Sequence, residues 1–399
     1  MASGSISKRE GKKGVTYRLQ VDLGRDPGTR KRRRHVETVK GTEAAAQRCL
    51  RELVAQAERG APVSGSKQLL GAYLAGWLAV KATTVRPTTL EGYQTYVRAY
   101  LGGLGNVQLG KLTPAMIQNV YVVLQRPRGE GRRGLSRRTV AHLHRILSEA
   151  LKDAVRDGLL LANPCARVTP PRPDNVERRI LRADEAVKVF DHISQHSPWA
   201  LIPTMLALYT GMRRSEILAL KWEDVRLDAA EPSLQVRRGF TMLTGGEEVV
   251  RPPKSAKGSR NLALDEEAVG LLRERRRQME AAAEIIVAPV AADAWVFADV
   301  EGRVYRPYSL SQAFLRACRA HGIPEAVFHW LRHLHATVLL RAGAHPKVVQ
   351  ERLGHSTIST TIDTYSHVMP GLQAAAAKAF AQAFRIRPAL PNPDSAPVT

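Results

Sequence analysis

Long apolar runs, a cysteine framework and an excess of acidic residues are all missing from this sequence of 399 residues. No stretch approaches the roughly 20 consecutive apolar residues that a membrane-spanning helix needs. The opening segment also lacks the apolar core of a secretory signal. The three cysteines, Cys49, Cys165 and Cys318, are too widely spaced for a disulfide framework or a CxxC metal clip. These absences argue against membrane and secreted proteins and favour a reducing cell interior.

Acidic residues are scarce relative to basic ones. The chain has 37 Asp and Glu against 60 Lys and Arg, which gives a formal net charge of +23. A surplus of this size favours an anionic partner, nucleic acid first and an anionic membrane second. Because no membrane segment is recognisable, we expect nucleic acid and no membrane.

Composition and hydrophobic periodicity divide the chain into four predicted parts. Residues 1–62 are predicted to form a short β-ribbon backed by a helix, and residues 67–165 an all-α domain. Residues 178–385 are predicted to form a mainly α domain with a small antiparallel β-sheet, and residues 386–399 a disordered, Pro-rich tail. The length agrees with a multidomain protein.

The first predicted part contains alternating apolar residues and then a basic cluster. Val15, Tyr17, Leu19 and Val21 alternate as in a half-buried strand. A Pro-Gly turn then leads into a cluster of cations, Arg30, Lys31, Arg32, Arg33 and Arg34. A solvated turn or a localisation signal would explain this cluster, but its position in a basic β-ribbon favours contact with DNA phosphates.

A second basic cluster lies in the all-α part. A Gly-rich loop precedes a predicted helix that Ser136 caps, and this loop and helix start carry Arg132, Arg133, Arg137 and Arg138. The amide groups and dipole of a helix N-terminus favour phosphate there. The nearby aromatic stripe with Tyr73 and Trp77 is interpreted as core rather than as a cofactor site.

The third predicted part, residues 178–385, contains two candidate site residues that are cations. Gly211 ends an apolar helix and Ser215 is predicted to cap the next, so Arg213 lies at a helix junction and faces a cleft. The alternative is a surface ion pair between Arg213 and Glu216. Lys254 is predicted at a hairpin tip between two strands, where a lysine is usually solvated, and Lys257 is a competing candidate.

The remaining candidates follow on predicted helices. His329 and Arg332 are three residues apart and share a helix face. His333 raises a zinc alternative, but no HExxH glutamate is present, so we expect no metal site. His355 follows a helix end, and Tyr365 lies on a short helix with a predicted cap at Ser359 or Thr360.

Together these residues comprise two arginines, a lysine, two histidines and a tyrosine, without a carboxylate pair or a metal set. Guanidinium groups neutralise phosphate oxygens in a bidentate manner. A tyrosine hydroxyl can form a covalent intermediate. The combination therefore favours metal-independent phosphodiester chemistry with Tyr365 as the nucleophile.

The order of these segments resembles the tyrosine recombinase family, specifically phage-type integrases. The resemblance rests on TGMRRSE, PPKSAKGSRNLAL, HWLR, LGH and TYSH, and it covers residues 178–380 strongly. Residues 67–165 resemble the family's core-binding domain. Residues 1–66 resemble its N-terminal arm-binding domain, a three-stranded sheet with one helix. Trp330 is a departure from the aspartate that many relatives have, and Leu334 replaces a small polar residue.

The resemblance implies a site-specific recombinase that cleaves and rejoins DNA and that integrates and excises a mobile element. Arg213 and Arg332 would hold the phosphate, Lys254 would protonate the 5′-oxygen and His329 would assist proton transfer. His355 would hydrogen-bond the phosphate and Glu216 would support Arg213. No cofactor is implied.

The resemblance also implies partners and a location. It implies core and arm attachment sites on double-stranded DNA and a homotetramer on that DNA. An excision factor or host DNA-bending protein would assist, at the nucleoid in the bacterial cytoplasm.

Two other functions use part of the same pattern. A type IB topoisomerase-like nickase would use the same chemistry alone, but the basic first part favours an integrase with a second DNA site. A DNA-binding regulator would explain the charge, but it would not need Tyr365.

Overall fold

The structure, a computed structural model, describes residues 3–11, 14–25, 32–58, 66–127, 133–173, 181–253, 256–286, 289–365, 377–378 and 380–382. The chain divides into two compact units, Met1–Glu177 and Arg178–Thr399. The finer boundaries at residues 62, 67, 165 and 385 stay predictions, and the predicted tail 386–399 lies outside the described residues. Among the described helices, none has the length and apolar character to cross a membrane.

The first unit begins with an antiparallel sheet and one helix. Its strands lie in the order β1 (Ser3–Gly11), β2 (Gly14–Arg25) and β3 (Arg32–Lys40), followed by α1 (Glu43–Glu58). Tyr17, Leu19 and Val21 are buried as their alternation predicts, whereas Val15 at the strand end is 37% exposed. The residue pattern alone missed β1, which the family resemblance implied.

The first basic cluster lies partly in this sheet. Arg32–Arg34 begin β3 instead of lying in a turn, and Arg34 pairs with Asp22 in the register. Strand β3 starts earlier than the turn signal predicted, and its register with β2 shifts between Asp22 and Arg25. Arg30 and Lys31 lie outside the described residues.

The rest of the first unit is helical, with α2 (Leu70–Ala82), α3 (Pro87–Tyr100), α4 (Pro114–Gln125) and α5 (Arg137–Arg156). Ser136 caps α5 as predicted, because its side chain accepts a hydrogen bond from the Thr139 amide. Tyr73 and Trp77 are buried, and the Tyr73 hydroxyl donates to the Ala150 carbonyl at 2.7 Å. The interpretation of these aromatic residues as core is confirmed.

The second unit contains eight further α-helices among the described residues, with short 3-10 turns between some of them. The helices are α6 (Ala183–His196), α7 (Leu201–Thr210), α8 (Arg214–Leu218), α9 (Glu266–Ile286), α10 (Pro307–Ala320), α11 (Trp330–Arg341), α12 (Pro346–Leu353) and α13 (Ile358–Tyr365). Its strands are β4 (Val225–Arg226), β5 (Ser233–Val236), β6 (Gly239–Met242), β7 (Glu248–Arg251) and β8 (Arg260–Ala263). The prediction of a mainly α domain with a small antiparallel sheet is confirmed.

The strands of this unit form two sheets, and this pairing corrects the predicted hairpin around Lys254. One sheet has the order β4-β5-β8, and the other pairs β6 with β7. The strands on either side of Lys254 therefore belong to different sheets. Leu234 and Leu262 face each other across β5 and β8 and are both buried. This apolar contact selects β5 as the partner of β8, since β7 is largely exposed. Lys254 itself lies outside the described residues.

Candidate active site

Gly211 sets the position of Arg213. It ends α7 in the left-handed conformation, with φ of +66°, which glycine adopts without strain. A Cβ atom there would lie 2.6 Å from His335 Cδ2, so the close approach of the backbone to α11 also requires glycine. The chain then turns, and Arg213 precedes the first residue of α8 with its side chain 37% exposed.

Glu216 is the buried partner of two arginines. Its side chain is 5% exposed, and its Oε1 accepts from Arg213 Nη1 at 2.7 Å. Its Oε2 accepts from Arg260 Nη2 at 2.9 Å and from the Arg213 amide at 2.9 Å. The predicted cap at Ser215 is therefore wrong, because the Glu216 carboxylate caps this helix start. The surface ion pair that we considered for Arg213 does form, but its carboxylate is buried.

The Glu216 carboxylate stays ionised although it is buried. Burial by itself raises the pKa of a carboxyl group, but the charge and hydrogen bonds of Arg260, followed by the charge of Arg213, outweigh it. The pKa of Glu216 therefore lies below its usual range. The result is an ionised carboxylate that fixes the direction of the Arg213 guanidinium.

Arg332 is buried, with 2% of its surface exposed. Its Nη1 donates to the Gly211 carbonyl at 2.8 Å, and its Nη2 donates to the Leu353 carbonyl at 2.6 Å. These carbonyls end α7 and α12, where the helix dipoles are negative and favour a cation. One guanidinium thus joins the segment that carries Arg213 to the segment that carries His355.

His329 lies at the start of the same helix. It is the residue before α11, its side chain is exposed, and its ring meets the His333 ring edge-on at 4.8 Å between centroids. The HxxR pattern thus places an exposed histidine one turn before the buried Arg332.

His355 follows the end of α12. Gly354 ends that helix with φ of +67°, and the His355 amide then donates to the Gln350 carbonyl at 3.1 Å. The buried Gln350 side chain returns a hydrogen bond from Nε2 to the His355 carbonyl at 2.8 Å. The imidazole Nδ1 lies 2.8 Å from the Thr361 hydroxyl. Both backbone and ring of His355 are therefore held in place.

The electrostatics of His355 place it next to the two arginines. Burial first, and then the charges of Arg332 and Arg213, lower its pKa to about 4. The imidazole is therefore neutral at physiological pH. The Arg332 guanidinium donates to the carbonyls of Gly211 and Leu353, which lie two residues before Arg213 and two residues before His355. Arg213, Arg332 and His355 therefore converge in one region.

The two lysine candidates differ in what the structure describes. Lys254 lies outside the described residues. Lys257 is exposed, and its Nζ donates to the Ser356 carbonyl at 2.9 Å, next to His355. The segment between β7 and β8 therefore brings a lysine to the same region.

Tyr365 is the last residue of α13, and its side chain lies outside the described part of the structure. The helix begins at Ile358, so the predicted cap at Ser359 or Thr360 is wrong. Thr361, one turn before Tyr365, is fully buried and contacts His355. The backbone position of Tyr365 is thus tied to the histidine.

Arg260 is a site residue that sequence analysis missed. Besides Glu216, its guanidinium donates from Nε to the Arg352 carbonyl at 2.6 Å and from Nη1 to the Gly258 carbonyl at 3.0 Å. It connects β8 to α8 and to the end of α12. The sequence carried a signal for Arg260, because it lies two residues before the buried Leu262 and therefore on the same inner face of β8.

His335 and Arg352 form a second buried connection. His335 Nδ1 donates to the Leu208 carbonyl at 2.8 Å, and its Nε2 accepts from Arg352 Nε at 3.1 Å. Arg352 also donates to the Tyr209 carbonyl at 3.3 Å and the Ala263 carbonyl at 3.0 Å. These contacts hold the end of α12 against the end of α7.

We expect His335 to make stability depend on pH. Burial, and then the charge of Arg352, lowers its folded pKa from 6.5 to about 4. Its contribution is therefore complete above pH 6.5 and is lost as the pH falls towards 4. At about pH 5 this loss is about 2 kcal/mol.

His335→Gln keeps a donor for Leu208 and an acceptor for Arg352 but does not titrate. Between about pH 7.5 and pH 5 the variant should lose about 2 kcal/mol less than the wild type in urea unfolding followed by tryptophan fluorescence. Equal losses in both proteins would show that His335 is not held neutral by the fold.

The described candidates for DNA contact in the first unit are exposed. Arg133, Arg137 and Arg138 all lie around the N-terminus of α5, as predicted. Arg132 lies outside the described residues. The position at a helix start favours phosphate, because amide groups and dipole act together there.

Comparisons with known proteins now give the family. Residues 179–371 match the phage integrase family, and residues 69–124 match the N-terminal SAM-like domain of phage integrases. A tyrosine recombinase XerC-like protein of Caldanaerobacter subterraneus subsp. tengcongensis is 27% identical over 376 residues, which is 89% of this chain and 93% of that protein. Tyrosine recombinase XerC of Mycobacterium sp. (strain KMS) is 30% identical over 298 residues, 68% of this chain and 87% of that protein.

A solved structure agrees in fold. The integrase of transposon Tn1549, in complex with a circular intermediate DNA, superposes with a TM-score of 0.65 at 19% identity, covering 78% of this chain and 99% of that one. Fold and relatives together define a DNA strand-transferring enzyme. The chain belongs to the phage integrase family of tyrosine recombinases, which act in site-specific recombination. The resemblance that the sequence suggested is confirmed.

Proposed function

We propose that Tyr365 is the nucleophile of strand cleavage. Its phenolic oxygen forms a bond to the scissile phosphorus as the bond from phosphorus to the 5′-oxygen breaks. The products are a 3′-phosphotyrosyl enzyme and a DNA strand with a free 5′-hydroxyl. The 5′-hydroxyl of a second strand then attacks the phosphotyrosine, so the bond is conserved without a high-energy cofactor.

The observation that carries this proposal is the convergence of Arg213, Arg332 and His355. Arg332 bridges the two segments that carry Arg213 and His355. Partial burial and then both guanidinium charges lower the pKa of the half-buried His355, and its ring contacts the helix that ends at Tyr365. A cluster of fixed cations and a neutral imidazole suits a pentacoordinate phosphate, whose charge grows in the transition state. Preorganised donors of this kind supply most of the rate in such reactions.

The other groups have supporting roles in this proposal. Glu216 holds Arg213, and His329 assists proton transfer at the edge of the site. Lys254 donates the proton to the departing 5′-oxygen. Lys257 is the competing donor, supported by its hydrogen bond to Ser356 beside His355.

Strand exchange between two duplexes is the experiment that tests the proposed function. The core site would first be selected from randomised duplexes by binding to the full chain. Recombinant joints between two labelled duplexes, formed without ATP, support the recombinase. Relaxation of a supercoiled plasmid without any recombinant joint would instead favour the nickase alternative, and neither product would contradict the proposal.

We infer that the enzyme acts as a homotetramer that gathers two core sites at the bacterial nucleoid, assisted by an excision factor or DNA-bending protein. Relatives support this assembly, since solved lambda integrase structures include a dimer on a core site and a tetramer on a Holliday junction. The basic β-ribbon of the first unit would bind separate arm sites, as its cationic residues favour phosphate contacts.

The arm-site proposal predicts a selective defect. Replacing Arg32, Arg33 and Arg34 with glutamine in the full chain should abolish recombination that needs arm sites, because the proposed phosphate contacts that give affinity for those sites are lost. Core-site cleavage should stay within about twofold of the wild type. The matched control removes three exposed, ion-paired cations of the second unit, Arg273, Arg277 and Arg303, and should spare both activities. Unchanged recombination in the first variant would refute an arm role for this strand.

A further inference from the structure

The Thr361 hydroxyl sits where it can control the chemistry of His355. Thr361 is fully buried, and its Oγ1 lies 2.8 Å from His355 Nδ1. A neutral imidazole has one donor and one acceptor nitrogen, and the partner of one nitrogen decides the state of the other. The direction of this single hydrogen bond therefore decides whether His355 Nε2 carries a proton.

A phosphate oxygen accepts hydrogen bonds and cannot donate one. His355 can stabilise it only through an Nε2–H group, which requires Nδ1 to be the acceptor. Nδ1 is an acceptor when the Thr361 hydroxyl donates to it. The other direction would leave Nε2 as a lone pair facing the phosphate, which is repulsive.

Thr361 also belongs to the helix of the nucleophile. It precedes Tyr365 by one turn of α13, and residues at this spacing lie on the same side of a helix. On the opposite side of the hydrogen bond, the backbone of His355 is held by the buried Gln350. The contact therefore links two elements, α12 with its histidine and α13 with its tyrosine.

We propose that Thr361 is a positioning residue that donates its hydroxyl proton to His355 Nδ1, fixes the Nε2–H tautomer and docks the Tyr365 helix on the phosphate site. This inference rests on the proposed function, because it gives His355 a phosphate to contact. It concerns a residue that touches neither the DNA nor the reacting atoms.

The test compares full-length variants in cleavage of a nicked core-site substrate whose covalent product is trapped. Thr361→Val has nearly the same shape without the hydroxyl, and we expect cleavage to slow about 10- to 100-fold with DNA affinity unchanged. Thr361→Ser restores the hydroxyl and should recover to within about threefold of wild type. Thr337→Val is the matched control: Thr337 is also buried, and its hydroxyl has no hydrogen-bond partner in the described structure, so cleavage should stay unchanged.

A double-mutant cycle separates this role from general packing. In a His355→Gln background, adding Thr361→Val should slow cleavage by less than about a further threefold, because the two residues act as one unit. Additive losses would overturn the proposal. Wild-type cleavage is the internal reference: its absence would refute the proposed function, whereas normal wild-type and Thr361→Val cleavage together would refute the inference about Thr361 alone.

The tautomer itself can be measured without any variant of Thr361. In full-length protein labelled with ¹⁵N-histidine, NMR distinguishes a protonated Nε2 from a protonated Nδ1, and His355→Gln assigns the signal. Protonated Nε2 supports the proposal. Protonated Nδ1 would overturn it, even if Thr361→Val failed to fold.

Discussion

Arg332→Ala should abolish detectable strand cleavage and destabilise the second unit by about 3 kcal/mol, the largest combined effect we expect from one substitution. The stability loss follows from two carbonyls, those of Gly211 and Leu353, that would remain buried without their donor. The cleavage loss follows from removing a fixed cation from the proposed phosphate site, worth about 10²- to 10³-fold for a single donor. Displacement of the segment that carries His355 would add to it.

Two measurements check this result. Urea unfolding gives the change in stability, and the rate of covalent adduct formation on a nicked core site gives the catalytic loss. Arg332→Lys is the informative control, since it keeps the charge but cannot bridge two carbonyls with one planar fork. It should recover part of the stability and little of the rate. Cleavage by Arg332→Ala within tenfold of wild type would show that this arginine is not part of the site.

Glu216→Ala should produce the second large effect. The carboxylate is buried between Arg213 and Arg260, so its removal leaves cations without their partner, which costs about 3–5 kcal/mol. Arg213 would lose its fixed direction, and we expect cleavage to slow by about 10²-fold. DNA affinity should change little, because the cations that bind phosphates remain.

Glu223→Gln provides the matched control for Glu216. Glu223 pairs with Arg238 at 2.8 Å but is 39% exposed, so its loss should leave the stability almost unchanged. Thermal unfolding and single-turnover cleavage should therefore separate the two acidic residues clearly. Equal effects at both positions would mean that burial of Glu216 has no special consequence.

Local rules predicted the parts of the fold that local physics decides. Ser136 caps its helix because a hydroxyl satisfies a free amide, and Gly211 ends its helix because glycine adopts the left-handed conformation. Leu19 and Val21 are buried because alternation puts them on one face of a strand. These features depend on a few neighbouring residues.

Pairing over long distances in the chain was not predictable in the same way. The choice between β5 and β7 as the partner of β8 depends on which strand buries its apolar residues, and this is decided in the folded unit. The Ser215 cap failed because the helix already begins at Arg214, where the buried Glu216 carboxylate accepts a hydrogen bond from the Arg213 amide.

The residues of the candidate site also divide into those that could be predicted from the sequence and those that only the folded unit brings together. Arg213, Arg332, His355 and Tyr365 stood out because their segments resemble a family in order and spacing. The residues that position them did not, since Arg260 reaches Glu216 across 44 residues of sequence and Thr361 looks like an ordinary helix residue. Spatial proximity, rather than residue type, identifies this supporting group.

The proposed covalent bond between Tyr365 and DNA can be tested by trapping and mapping the protein–DNA adduct. The full chain is incubated with a nicked core-site duplex, from which the short released strand with its free 5′-hydroxyl diffuses away, and the protein–DNA adduct is mapped by peptide mass spectrometry. We expect a 3′-phosphotyrosyl adduct on the peptide that contains Tyr365, and no adduct with a Tyr365→Phe variant that still binds the duplex. An adduct of unchanged yield in Tyr365→Phe, or one mapped to another residue, would contradict it.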